Sequence, residues 1–172
     1  SINGEEGRTG INSPYVAQYY PWGLSTNIDG QNVMIPPSTI ALRTYAYSDS
    51  VSAPWFAPAG YNRGIVTNAQ SVGYLTKEGE FRAVTLNQGQ RDVLQLNNIN
   101  PISMQPNRGL IIMGQKTLSP VESALDRINV ARLINFIRYN SEEVLRPFLF
   151  EPNDSQTRAS AEVAMERFLG DL

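Results

Sequence analysis

The side chains that carry most enzymatic chemistry are missing from this sequence, which has no His and no Cys among its 172 residues. Without imidazole there is no Ser-His-Asp triad, and the commonest general base and zinc ligand are gone. Without thiols there are no disulfides, thiolate nucleophiles or cysteine metal sites, and the redox compartment cannot be read. Carboxylates remain, and the best-spaced pair is Glu151 and Asp154 in FEPND. Two acids three residues apart can divide acid and base roles if a pocket raises the pKa of one. The competing use is structural: Asp154 or Asn153 caps the following helix, and Glu151 pairs with an arginine.

Other candidates are weaker as chemistry. Asn107-Arg108-Gly109, with Gly114 beyond it, lacks the glycine spacing and Lys-Ser/Thr of a phosphate loop and reads better as a turn between strands. Asp126, Arg127 and Arg132 form a charged stretch suited to a solvated or intersubunit face. Tyr19–Trp22 (YYPW) and Pro54–Phe56 (PWF) could stack sugars or bases, yet no basic residues interleave them, so packing is the better use. Only Lys77 and Lys116 are lysines among 14 basic residues. Arginine favours planar, bidentate contacts at interfaces, although compositional bias gives the same ratio.

These residues need elements to hold them. Pro14–Trp22 reads as a strand, followed by a turn at Asn27–Gly30 into a short strand in QNVMI. Ser38 is the expected cap of a helix over 39–49, and 64–67 (GIVT) is an expected strand. Residues 69–85 read as a meander, and 88–96 as a short helix turning Val93, Leu94 and Leu96 to the core. Strands are expected at 102–104 and 110–113, around a turn at Pro106-Asn107. Ser119-Pro120-Val121-Glu122 has the form of a helix start, opening a long helix to Arg146 that is apolar on two faces, with a possible break at Asn140-Ser141. Residues 148–154 read as a strand-to-cap junction, and 155–169 as a last helix carrying Ala161, Ala164, Met165 and Phe168 on one stripe. This order predicts an α/β or α+β fold, a mixed sheet flanked by helices. Residues 1–13 are expected as a flexible lead-in and 14–172 as a single domain.

The net charge of −2 creates no field for nucleic acid or an anionic membrane. No apolar run reaches the ~20 residues of a membrane helix. Ser52–Gly64 (SAPWFAPAGYNRG) is too broken for a helix and too apolar for an ordinary exposed loop. The balance points away from catalysis and cofactors, toward binding or structure.

Taken together, SPYVAQYYPW, IPPST, APWFAPAGYNRG, INPI, NRGLIIMGQKTL, DRINVARLINFI and FEPND occur in that order. The series resembles the C-terminal core region of contractile tail sheath proteins over about residues 13–170. The resemblance implies a mixed sheet with flanking helices and a homo-oligomer of sheath subunits stacked in rings around an inner tail tube. It further implies contraction that drives the tube through a host envelope, contacts with baseplate and tail terminator proteins, and a place in the virion tail after assembly in the bacterial cytoplasm. It implies no enzyme activity, cofactor, metal, nucleic acid or membrane. Because family members continue on both sides of this region, the chain is expected to be part of a longer subunit. Trp55, Asn62, Arg63, Arg108, Asp126, Arg127, Arg132, Arg138, Glu151 and Asp154 fall in or beside these motifs as structural or interface candidates. The 52–64 loop then becomes architecture, with Asn62 and Arg63 holding backbone or a neighbouring element. The rival functions are a carboxylate hydrolase built on Glu151 and Asp154, and a glycan-binding module built on Tyr20, Trp22 and Trp55.

Overall fold

The computed structural model of the protein describes residues 11–172, so most of the expected 1–13 lead-in lies outside the described residues. The chain divides into two compact units, residues 1–131 and residues 132–172.

The first unit is α+β. Its two sheets share a continuous strand path: β1 (Gln18–Tyr20) passes through the buried, cis-bonded Pro21 directly into β2 (Trp22–Thr26). The expected single strand at 14–22 is therefore two shorter ones, because proline has no N–H for a ladder and interrupts the pairing. β1 runs parallel to β6 (Ile99–Gln105), which pairs antiparallel with β7 (Gly109–Ile112). The other sheet is antiparallel, in the order β3 (Asn32–Ile35), β2, β4 (Ser71–Leu75), β5 (Phe81–Ala83).

Helix α1 (Pro37–Val51) opens on Pro36 without a side-chain cap, two residues before the expected start. Proline at the first helical position supplies a pre-set φ and lacks the N–H that would be orphaned there. Its Ile40, Ala41, Thr44 and Ser48 are buried, the spacing of one helical face. Ile40 and Ala41 join Val66, Val72, Ile102, Leu110 and Ile112 in the core, with Tyr19 and Ile35 packed against them. Fully burying such an aliphatic side chain stabilises by about 1.5–3 kcal/mol. Helix α3 (Gln88–Leu96) starts on a reciprocal Asn87–Gln90 capping box. Of the three apolar residues expected to face the core, only Leu94 does; Val93 and Leu96 are exposed. The expected strand at 64–67 is reduced to one bridge, Ile65 to Ile111.

The expected helix start at Ser119 is not used. Residues 115–118 are committed to long-range backbone pairing: Thr117 N donates to Asp126 O, Ile128 N to Gln115 O, and Leu118 N to Val16 O, each at 2.8 Å. A 3-10 turn at Ala124–Asp126 follows, and helix α4 begins only at Ile128. It runs unbroken through Asn140-Ser141 to Leu145. The expected burial of two faces fails too, since only Ile128 and Ala131 in its first turn are buried.

In the second unit, the expected strand in 148–154 is absent: Arg146–Phe148 forms a 3-10 turn and Phe150 is exposed. Helix α5 (Ser155–Gly170) matches the expected stripe, with Ala161, Ala164, Met165 and Phe168 half-buried. Gly170, expected as its stop, is its last residue.

Candidate interaction site

The 52–64 loop is ordered by its own sequence. Gly60, at φ +79°, starts the one-turn helix α2 (Gly60–Arg63), in a backbone conformation that side chains other than glycine's rarely allow. The buried Pro58 fixes the approach to it. Arg63 folds back so that its Nε donates to Ala57 O at 3.1 Å, and its guanidinium lies 4.9 Å from the Phe56 ring centroid. Beyond α2, Ile112 N donates to Gly64 O at 2.8 Å and Val66 N to Leu110 O at 2.9 Å, fastening the loop to β7. From the β6–β7 turn, Arg108 places its guanidinium 5.5 Å from the Tyr61 ring centroid. Trp55 is half-buried and Asn62 exposed.

One wall of a cavity of about 320 Å³ is the Ala57–Gly60 part of this loop. The opposite wall is Met113–Lys116, and Gln95 and Arg127 complete it. Gln95 reaches from α3 and donates to Met113 O at 2.9 Å, holding the second wall. Lys116 and Arg127 lie side by side because their backbones bridge. Arg127 Nε meets Asp126 Oδ1 at 3.0 Å, where the Arg127 side chain is half exposed. Arg63, Arg108, Asp126 and Arg127 thus all belong to the first unit.

Asn100 is the residue beneath this wall whose role sequence reasoning missed. Wholly buried, it donates through Nδ2 to Gln18 O at 3.1 Å and Lys116 O at 2.8 Å, and its Oδ1 accepts from Lys116 N at 2.7 Å. The side chain thereby joins β1, β6 and the 115–118 segment. A Cβ at Gly114 would stand 2.7 Å from Asn100 Oδ1, so only glycine leaves room for the amide. The signal was a lone Asn in the otherwise apolar INPI strand.

Arg132 and Arg138 lie on α4, half-buried and exposed respectively. Glu151 and Asp154 line one open depression of about 370 Å³, but not as an acid–base pair. Asp154 caps α5, accepting from Thr157 N at 2.7 Å. That backbone hydrogen bond, chiefly, holds its carboxyl below the usual aspartate range. Its shift is downward, not the upward one that the hydrolase reading asks of one of the two acids. Tyr20, by contrast, is pushed above its ordinary value by burial and then by Tyr74 nearby. Among the described residues there is no group of three or more acids, His or Cys that could hold a metal, and no helix long and apolar enough to cross a membrane.

No family model matches the chain. The tail sheath protein of Vibrio phage KVP40 is 35% identical over 127 residues, covering 74% of this chain and 17% of that protein. The tail sheath protein of Enterobacteria phage T4 is 36% identical over 124 residues, covering 72% of this chain and 17% of that protein. The anti-feeding prophage helical sheath in its contracted state matches with a TM-score of 0.79 at 25% identity, over 99% of this chain and 44% of that one. Fold and relatives together define an α+β domain of the kind found in contractile sheaths. Over about three quarters of its length the chain is similar to contractile tail sheath proteins. It spans about a sixth of the length of the curated relatives it matches.

Proposed function

We propose that residues 14–172 act as the core domain of a sheath subunit. Copies polymerise as stacked helical rings around an inner tail tube, in the virion tail, after assembly in the host bacterial cytoplasm. Subunits that meet through unlike surfaces, with a rotation and rise that do not close, build such a tube. Contraction moves each core as a body into a more stable lattice and drives the tube through the host envelope, with baseplate and terminator proteins at the ends of the sheath. The observation that carries this reading is the likeness of nearly the whole chain to a helical sheath in its contracted state.

Helix α4 is the face assigned to the tube or the next subunit, because Ile134, Tyr139 and Leu145 are exposed on it and it carries Arg132 and Arg138. Replacing both arginines with Glu in the full-length protein is expected to abolish tubes in negative-stain images while the fold, followed by circular dichroism, stays intact. Loss of folding would assign them to internal packing instead. Images of both sheath states should superimpose residues 14–172 as a body, and extensive refolding within them overturns the mechanism.

A further inference from the structure

We propose that the cavity between the 57–60 loop and the 113–116 segment receives a carboxylate side chain from a second copy of this chain, resting on the sheath reading above. Three stretches far apart in sequence meet there: APAG from the aromatic loop, MGQK after β7, and Arg127 before α4. Small residues make the room, since Ala57, Ala59, Gly60 and Gly114 all line it. Charge sets the occupant. Arg127 has Asp126 beside it, whereas Lys116 has no ion-pair partner among the described residues. Gln115 lines the same wall, its Oε1 buried with no hydrogen-bond partner among the described residues. A segment bringing a carboxylate to Lys116 gives that ammonium the ion pair it lacks among the described residues of one copy. Copies of this chain can supply one: acids outnumber bases 16 to 14, and acids such as Glu142 and Glu80 are exposed.

The test is zero-length carbodiimide crosslinking of full-length protein, assembled into tubes from a mixture of ¹⁵N-labelled and unlabelled copies. Lys77 is the only other lysine in this chain, so peptides joined through Lys116 can be assigned by mass spectrometry. The expected result is an amide between Lys116 of one copy and an Asp or Glu of another, present in tubes and absent in dissociated protein. Lys116→Arg should keep the tubes and lose the crosslink, because carbodiimide couples amines and not guanidinium. Lys116→Glu should lose the tubes with an unchanged circular dichroism spectrum.

A crosslink within one copy, a crosslink to the tube protein, or wild-type assembly by Lys116→Glu overturns the proposal. Should wild-type full-length protein form no tubes at all, the sheath reading itself falls and takes the pocket's occupant with it. That outcome is distinct from tubes that form with Lys116 unreacted.

Discussion

Residues up to Ala131 and residues beyond it solve the problem of order in different ways. Apart from Pro21, every buried apolar side chain of the described residues lies between Ile40 and Ala131. The second unit has none, and it leaves Leu149 and Phe150 largely uncovered, Phe150 at 99% exposure. Its order is local: Asp154 caps α5, Arg146 pairs with Glu143 at 2.7 Å, and α5 shows one half-buried stripe. The first unit is a core that long-range contacts hold in place. The second is a pair of helical segments whose own sequence specifies them, with apolar surface to spare. On the sheath reading proposed above, that part of the burial is left to the assembly.

That contrast can be broken most decisively from the core side. Ile102→Ala removes a fully buried residue of the central strand β6 and is expected to cost about 2–5 kcal/mol, read by urea denaturation. The first unit should lose its near-ultraviolet signal while the helices beyond Ala131 persist in hydrogen exchange; simultaneous loss of both would mean the two units fold as one. A smaller effect is expected from Asn100→Ala. It strands Lys116 N and the carbonyls of Gln18 and Lys116, and one buried group left unpaired costs about 1–3 kcal/mol. A shift in denaturation midpoint below the error of the method would show that water replaces the amide.

The smallest effect belongs to the second unit and to acid. Asp154 is held below its usual pKa by the fold, so the stabilisation it brings is present above about pH 4, the unfolded value. It fades as pH falls through the depressed folded value. Amide exchange at Thr157 and along the first turn of α5 should speed up there, with α3 unaffected because its cap is the uncharged Asn87. An equal response in α3 would rule out titration of the cap as the cause.

What the sequence made legible follows the same division. Helix α3, the β6–β7 hairpin, the α5 stripe and the Asp154 cap were readable because each rests on contacts within a few residues. The Ser119-Pro120-Val121-Glu122 helix start was a sound local signal, but Ser119 is buried and its hydroxyl donates to Val121 O at 3.0 Å. The preceding residues are drawn into pairing with 16 and with 126–128, and those distant partners outweigh local propensity. FLF failed as a strand for the opposite reason, since among the described residues it belongs to no sheet and 146–148 closes into a 3-10 turn instead. At the interaction site, the aromatic loop was legible as architecture. The cavity was not, because no periodicity brings Gly60, Lys116 and Arg127 together.

The passage from β1 to β2 through a lone proline has a mechanical consequence. With one residue between Tyr20 and Trp22, their α-carbons can never be more than about 7 Å apart, whatever happens around them. The two sheets are therefore not layers free to slip over each other. Tension entering at one reaches the other along covalent backbone, without first having to shear a row of hydrogen bonds.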